Sequence, residues 1–221
     1  MGILRVDHPD IMEFIQAKLD GVTLQNFNIS VGVTDAFMQA VRNDDPYELI
    51  DPRNGHRVGN LSAKEVFKTV VDAAWRTGDP GLIFLDAINR GNPTPQFGPI
   101  EATNPCGEIP LLPYESCNLG SINLAHMVVE HNHNMEIDWE KLRGLISKAV
   151  RFLDDVITVS NYPLAEIEKM SHGNRKIGLG VMGFADMLIR LGIPYDSDNA
   201  VNLADKIQQV ISEEALYQSA I

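Results

Sequence analysis

The chain has 221 residues, of which 44% are hydrophobic and 22% charged, and this composition excludes disordered, collagenous and low-complexity proteins. Its formal net charge of −12 argues against non-specific nucleic-acid binding, which depends on Lys and Arg neutralising phosphates. Because no apolar run approaches the roughly 20 residues that cross a bilayer, and no signal sequence opens the chain, we expect a cytoplasmic protein that binds neither nucleic acid nor membrane.

Strands and helices alternate along the first half of the chain. Alternating β-branched residues predict strands, and apolar residues at helical spacing predict helices. The strands are expected over 1–6, 27–33 and 81–85, and the helices over 9–19, 34–41 and 62–76. The stretch 44–60 carries Pro, Asn, Gly and Arg, and is expected to be a loop with a short hairpin at 48–58.

The second half continues this alternation. Strands are expected over 119–124 and 177–183, and helices over 138–160, 163–170, 184–191 and 197–220. The His-Asn-His-Asn stretch at 131–134 is interpreted as a polar loop tip, with a metal role for His131 and His133 as the alternative. The alternation favours an α/β fold with mostly parallel strands. No repeat or linker is apparent, so we expect residues 1–221 to form a single domain.

Two of the predicted helices have distinct apolar stripes. The helix over 62–76 opens with a capping box, Ser62-Ala-Lys-Glu65. Its buried residues are expected to be Val66, Val70, Val71, Ala74 and Trp75. The buried residues of the helix over 138–160 are expected to include Leu142, Leu145, Ile146, Val150, Leu153 and Ile157. Each stripe should face a hydrophobic core.

The long irregular segment 89–113 contains the most informative motif, Asn104-Pro-Cys-Gly-Glu108. An irregular segment of this length inside a compact domain is usually functional or disordered. If residues 104–108 are extended, Asn104, Cys106 and Glu108 share one face at spacings of roughly 6–7 Å. A thiol between an amide and a carboxylate is a plausible reaction centre. The alternative is a buried cysteine acting as a small apolar residue, with Glu108 in solvent.

Cys117 and a glycine motif are the other candidates. Cys117 is interpreted as a buried thiol at the start of a strand, and a disulfide with Cys106 remains open. The run from Gly178 to Gly183 matches GxGxxG, but these glycines fall inside a predicted strand and no acidic partner follows at the usual distance. We therefore interpret them as sites of close backbone packing.

Several stretches together resemble the catalytic chains of ribonucleotide reductases. Asn104-Pro-Cys-Gly-Glu-Ile-Pro-Leu111 and Glu115-Ser-Cys-Asn-Leu-Gly-Ser-Ile-Asn-Leu124 are similar to the active-site loop of that family. The stretches 1–10, 26–31 and 176–186 agree with the family in the same order. The Asn-Pro-Cys-Gly-Glu form resembles the adenosylcobalamin-dependent class more than the di-iron class.

The resemblance implies a fold. The family's core is a ten-stranded α/β barrel made of two parallel half-barrels, with a cysteine-bearing finger loop in its middle. This chain would supply about one half-barrel, with the finger loop at about 100–116. The family's second redox cysteine and its substrate-phosphate loop lie outside the chain, so we expect a segment that is inactive without complementary segments of the catalytic chain.

The resemblance also implies a radical mechanism on a ribonucleoside di- or triphosphate. Cys106 would become a thiyl radical and take the ribose 3′ hydrogen. Glu108 would remove the 3′-hydroxyl proton, and Asn104 would hold the ribose hydroxyls. Cys117 would be one member of the redox-active dithiol, renewed by an external thiol reductant. Adenosylcobalamin would initiate the radical, with a di-iron partner subunit as the alternative source.

Allosteric features follow from the same resemblance. The helix over 9–19 would belong to a homodimer face that binds a dNTP effector. The loop after it would pass the effector's identity to the substrate site, through Asp20, Gly21, Gln25, Asn26 and Asn28.

Two rival functions come from other classes. One is a non-catalytic scaffold or assembly subunit derived from the same family, and the other is an unrelated thiol oxidoreductase. A scaffold would need none of Asn104, Cys106 and Glu108, so their presence favours the enzyme. The absence of a Cys-x-x-Cys motif argues against a thioredoxin-like protein.

Overall fold

The computed structural model of the protein describes residues 1–221 and contains two compact units, Met1–Pro113 and Tyr114–Ile221. Each unit combines parallel strands with helices, as the sequence predicts. None of the helices has the length and apolar character needed to cross a membrane.

The N-terminal unit contains seven strands and four helices. Its strands are β1 (Gly2–Arg5), β2 (Ile29–Val33), β3 (Pro46–Ile50), β4 (Arg57–Ser62), β5 (Gly81–Phe84), β6 (Ala102–Thr103) and β7 (Pro110–Leu111). Its helices are α1 (Ile11–Gln16), α2 (Asp35–Asn43), α3 (Ala63–Thr77) and α4 (Leu85–Arg90).

A three-stranded parallel sheet in the order β1-β2-β5 is the centre of the N-terminal unit. The central strand β2 is buried along its whole length, which is typical of a parallel strand covered on both faces. Strands β3 and β4 form one antiparallel hairpin, and β6 and β7 form another. The core packs apolar residues of α1, α2 and α3, among them Ile11, Ile15, Phe37, Val66 and Val70, against sheet residues such as Val31.

Local sequence signals explain where the helices of this unit begin. Thr34 accepts the backbone N–H of Phe37 and starts α2, and Ser62 accepts that of Glu65 and starts α3. The predicted burial of α3 is only partly right. Val66 and Val70 are buried, but Val71 is 49% and Trp75 85% exposed, because the helix presents Ala63 and Ala73 to the core instead.

Other boundaries in this unit also differ from the prediction. Helix α1 ends at Gln16 rather than at 19, and the chain continues in turns. Helix α4 begins directly where strand β5 ends, within a region predicted as strand and then as irregular chain. The predicted hairpin at 48–58 is confirmed and extends over residues 46–62.

The C-terminal unit contains four strands and four helices. Its strands are β8 (Asn118–Asn123), β9 (Val128–His131), β10 (Asn134–Ile137) and β11 (Ile177–Met182). Its helices are α5 (Trp139–Val159), α6 (Ala165–Asn174), α7 (Phe184–Leu191) and α8 (Asp198–Ala220).

Strands β8 and β11 pair in parallel, and helices α5, α7 and α8 pack around the core of this unit. The residues predicted at the core of α5 are buried except Leu145, which is 36% exposed. The loop tip at 131–134 is the turn of an antiparallel hairpin, β9–β10, whose strands were not predicted from the sequence. Close packing is confirmed at Gly183, where a Cβ atom would lie 2.2 Å from Asn123 Oδ1.

The sheets have three strands or two, and no closed barrel is formed. The α/β class is therefore confirmed, and parallel pairs occur in both units. The expectation of mostly parallel strands is only partly right, because three of the six strand pairings are antiparallel hairpins, and this chain does not itself form the ten-stranded barrel that the resemblance implies.

Candidate active site

Asn104, Cys106 and Glu108 lie in the short loop that joins β6 to β7. Asn104 closes this loop through both its backbone and its side chain. Its carbonyl oxygen accepts the N–H of Gly107 at 3.0 Å, and its N–H donates to the carbonyl of Ile109 at 3.2 Å. Its side-chain Oδ1 accepts the N–H of Ile109 at 3.0 Å. Asn104 is therefore the residue that shapes the loop.

The loop is a turn, so the expectation of an extended segment with three residues on one face is wrong. The bond from Gly107 to Asn104 reverses the chain, and Gly107 has φ +85°, a conformation that residues with a Cβ rarely adopt. Cys106 is exposed, which also contradicts the alternative of a buried apolar cysteine, whereas Glu108 is exposed as that alternative expected. Asn104 is half-buried.

A cavity of about 440 Å³ lies beside Cys106. It extends along the start of β2 and β5, and its lining includes Asn28, Ser30, Asp79, Pro105, Cys106 and Gly107. Its wall is therefore largely polar, with the thiol at one edge. A larger cavity of about 910 Å³, lined by Arg5, Asp51 and Asp86 among others, does not include any of the predicted catalytic residues.

The predicted effector loop is ordered by its own side chains. The Asp20 carboxylate accepts the backbone N–H groups of Val22 at 2.9 Å and Thr23 at 2.8 Å, and the Thr23 hydroxyl at 2.5 Å. These hydrogen bonds, chiefly that of the Thr23 hydroxyl, lower the pKa of Asp20 to about 2. Gln25 donates to the carbonyl of Gly21 at 2.5 Å. Residues 21–28, including Asn26, are exposed.

This loop contacts the turn that carries Cys106. Asn28 Nδ2 donates to the carbonyl oxygen of Pro105 at 3.1 Å, next to the thiol residue. Lys18 Nζ bonds to Asp79 Oδ2 at 2.6 Å and to the carbonyl oxygen of Phe27, the residue before Asn28, at 2.9 Å. The structure thus brings Asn28 and Cys106 to one cavity. Sequence reasoning missed Lys18 and Asp79, since no local signal links residues so far apart in the chain.

Cys117 lies in the C-terminal unit, directly before β8, and is half-buried as a free thiol. Its Sγ donates to the carbonyl of Asn118 at 3.4 Å. Burial raises the pKa of this thiol, the charge of Lys176 lowers it, and that of Glu115 raises it. The position before a strand is as predicted, and the buried charges of Glu115 and Lys176 were missed.

The α/β fold presents an exposed free thiol in a turn beside a largely polar cavity, an arrangement that suits thiol chemistry. The chain belongs to the ribonucleotide reductase barrel-domain family, whose sequence model matches residues 1–221.

Particular relatives are similar along nearly the whole chain. The vitamin B12-dependent ribonucleoside-diphosphate reductases of Thermoplasma acidophilum and Mycobacterium tuberculosis are each 53% identical over 97% of the chain. The vitamin B12-dependent ribonucleotide reductase of Streptomyces coelicolor is 31% identical over 100% of it. The chain spans only 28%, 31% and 25% of the lengths of these three relatives, respectively.

Proposed function

We propose that this chain supplies the radical-carrying thiol of a cobalamin-dependent enzyme that reduces ribonucleoside diphosphates to 2′-deoxyribonucleoside diphosphates. The observation that carries the proposal is the exposed Cys106 in the turn Asn104–Glu108, beside a polar cavity. The names of the two 53% identical relatives support the diphosphate substrate and the cofactor.

Cys106 is the residue that would take the 3′ hydrogen of the ribose as a thiyl radical. Its exposed position fits this role, because a substrate and a radical source must both approach the sulfur. Adenosylcobalamin, when bound, supplies the radical chemistry. The side chains of the turn offer a thiol, a carboxylate and a carboxamide, which suit hydrogen and proton transfer, so the cofactor would be held by other parts of the protein.

Glu108 and Asn104 would act on the ribose hydroxyls. Glu108 follows Cys106 by two residues, and its exposed carboxylate can accept the 3′-hydroxyl proton as a general base. Asn104 uses its side-chain oxygen to bond Ile109, so its NH₂ group is the part that would donate to a ribose hydroxyl. The same bond holds the donor in place.

Cys117 would supply electrons as one half of a dithiol that an external thiol reductant renews. Its partner cysteine, the groups that hold the substrate phosphates and the strands that complete a ten-stranded barrel would come from complementary segments of the catalytic chain. Residues 1–221 would then form a single part of that barrel domain, with the finger loop at about 100–116.

The loop from Asp20 to Asn28 would carry effector information in a homodimer that binds a dNTP. The hydrogen bond from Asn28 to Pro105 supports this role, because it gives the loop a direct contact with the thiol turn. Asp20 and Gln25 would set the loop's shape through their bonds to Thr23 and Gly21. Asn26, which is exposed beside Asn28, would be available to a ligand.

A chimeric reductase tests the proposal. Residues 1–221 would replace the matching segment of the Thermoplasma acidophilum relative, and the chimera would be assayed with adenosylcobalamin, a dithiol and cytidine diphosphate. We expect deoxycytidine diphosphate as the product, and none from the Cys106→Ala chimera. A folded chimera that binds the nucleotide but forms no product, or product formation that survives Cys106→Ala, would contradict the proposal.

A further inference from the structure

The residues on both sides of Cys117 are fixed to other elements of the C-terminal unit. Ser116 Oγ lies 2.7 Å from Ser171 Oγ of helix α6. Asn118 Nδ2 donates to the carbonyl of Leu153 in helix α5 at 2.9 Å. Glu115 is bonded to Asn174, the last residue of α6, and to Lys176, directly before β11. The backbone that carries the thiol is therefore held from three directions.

Glu115 is the centre of a buried charged cluster. Its side chain is 0% exposed, and Lys176 Nζ lies 2.6 Å from its Oε2. Asn174 Nδ2 donates to its Oε1 at 2.8 Å. A carboxylate buried to this degree is costly unless it is paired and hydrogen-bonded, and here it is both.

Strand pairing brings Lys176 to the level of Cys117. In the parallel ladder of β8 and β11, Ile177 pairs with Asn118. Lys176 and Cys117 are the residues directly before these two strands, so each precedes the first pair of the ladder by one residue. The cation and the thiol are thus fixed by the same backbone pairing.

We propose that Lys176 is a positioning residue for the proposed redox function of Cys117: held on the buried Glu115 carboxylate, its ammonium group favours the ionised form of the neighbouring sulfur. The proposal rests on the role assigned to Cys117 above. It adds a chemical reason for a lysine in a mostly buried position.

The charges around the thiol agree with this geometry. Burial raises the pKa of Cys117, and among the nearby charges Lys176 lowers it while Glu115 raises it. Two titratable groups on the packed helices are bonded elsewhere. Asp154 on α5 pairs with Arg175, and His172 on α6 bonds to the carbonyl of Ile157. Lys176 is therefore the cation in position to offset the burial.

Partial stabilisation of the Cys117 thiolate would speed the reduction of the disulfide that contains Cys117. An external dithiol attacks the disulfide between Cys117 and its partner cysteine, and a new S–S bond forms to the partner while Cys117 leaves with the electron pair. The second thiol of the reductant then releases the partner, so that the dithiol becomes a disulfide and both protein sulfurs take up a proton. A leaving sulfur departs faster when its thiol pKa is lower.

The test measures the thiol itself. In the 221-residue chain carrying Cys106→Ser, the rate of Cys117 alkylation by iodoacetamide would be followed against pH, since the thiolate is the reacting form. Lys176→Gln should raise the pH midpoint of the alkylation rate and slow alkylation at pH 8 by roughly threefold or more. Glu115→Gln should lower the midpoint, and the double variant should return it toward that of the parent.

Two further variants separate charge from structure. Lys176→Arg keeps the cation and should keep the parent profile. Arg175→Gln removes the neighbouring cation, which bonds to Asp154 and Thr158, and should not move the midpoint. Circular dichroism identifies variants that do not fold. If Lys176→Gln is among them, the single variants Glu115→Gln and Lys176→Arg decide the question.

Equal midpoints in all folded variants, or shifts of the same sign for Glu115→Gln and Lys176→Gln, would overturn the proposal. The assay contains no nucleotide and no cofactor. Opposite shifts in these variants together with an inactive chimera would therefore leave the charge effect standing and count against the proposed function alone.

Discussion

At the scale of single residues, the two cysteines have contrasting surroundings. Cys106 is exposed in a turn, whereas Cys117 is half-buried and its pKa is raised by that burial. The sequence identified both residues through their motifs but could not give this contrast, since exposure depends on packing from distant parts of the chain. The pair Glu115 and Lys176 was missed for the same reason, because these bonded residues are 61 positions apart in the chain.

The first prediction concerns the order in which these thiols react. At pH 8, iodoacetamide should modify Cys106 before Cys117 in the native 221-residue chain, because Cys106 is exposed and burial raises the pKa of the Cys117 thiol. Mass spectrometry of peptides after short labelling times measures the order. Unfolding in denaturant is the control and should make the two rates similar. Faster labelling of Cys117 in the native chain would contradict the structure of the site.

A second prediction concerns Glu108 in the chimeric reductase. Glu108→Gln keeps the shape of the side chain but cannot accept a proton, and general base catalysis contributes about 10² to 10⁴ in rate. We expect kcat to fall by about that factor with little change in nucleotide affinity. Glu101→Gln, at an exposed carboxylate before β6, is the matched control and should be nearly silent. Activity of Glu108→Gln within about threefold of the parent would remove Glu108 from the mechanism.

At the scale of elements, the regular segments were predicted well where the local pattern decides them. The strands β2, β8 and β11 and the long helices α5 and α8 were found close to their true bounds, since their periodicity is long and consistent. The loop at 104–109 was not predicted correctly. The sequence suggested an extended segment, but the hydrogen bond from Gly107 to Asn104 and the positive φ of Gly107 form a turn. Its contact with Asn28 depends on the tertiary fold and left no pattern in the sequence.

The contact between the two loops leads to a third prediction. Asn28→Ala removes the hydrogen bond to Pro105, and a bond of this kind contributes about 1 kcal/mol. Amide hydrogen exchange in residues 104–109 should accelerate by roughly fivefold. Asn26→Ala, in the same exposed loop, is the control and should leave exchange there unchanged. Unchanged exchange in Asn28→Ala would show that the bond does not order the turn.

The loop at residues 20–28 should also respond to acid in a defined way. The pKa of Asp20 is lowered from its ordinary 3.8 to about 2 in the folded loop, so its carboxylate stabilises the loop above about pH 4. That contribution is lost as the pH falls through about 2. The NMR shifts of the Val22 and Thr23 amides should titrate with a midpoint near 2. A midpoint near 4 would contradict the hydrogen bonds seen for Asp20.

At the scale of the whole molecule, the sequence predicted an α/β fold with mostly parallel strands. The structure confirms the α/β class, but only three of its six strand pairings are parallel. It could not predict that the strands would divide among sheets of three and two, because the pairing partners of each strand are chosen by packing between segments. The family assignment rests on motifs near Cys106 and Cys117 and on agreement along the whole chain.

The core of the C-terminal unit allows a test of this architecture. Ile146 is 0% exposed, so Ile146→Ala should destabilise the unit by about 2–5 kcal/mol. Val159→Ala, at a 75% exposed position of the same helix, should change stability by less than about 0.5 kcal/mol. Amide exchange along α5 under native conditions measures both effects. Equal effects of the two substitutions would contradict the packing described for α5.

The central claim is that Cys106 carries the radical and that Cys117 does a different task. The most direct test is release of tritium from a 3′-tritiated ribonucleoside diphosphate by the chimeric reductase and its variants. We expect release by the parent and by Cys117→Ser, because hydrogen abstraction precedes reduction, and no release by Cys106→Ser. Release by Cys106→Ser at the parent's rate, or equal loss in both variants, would contradict it.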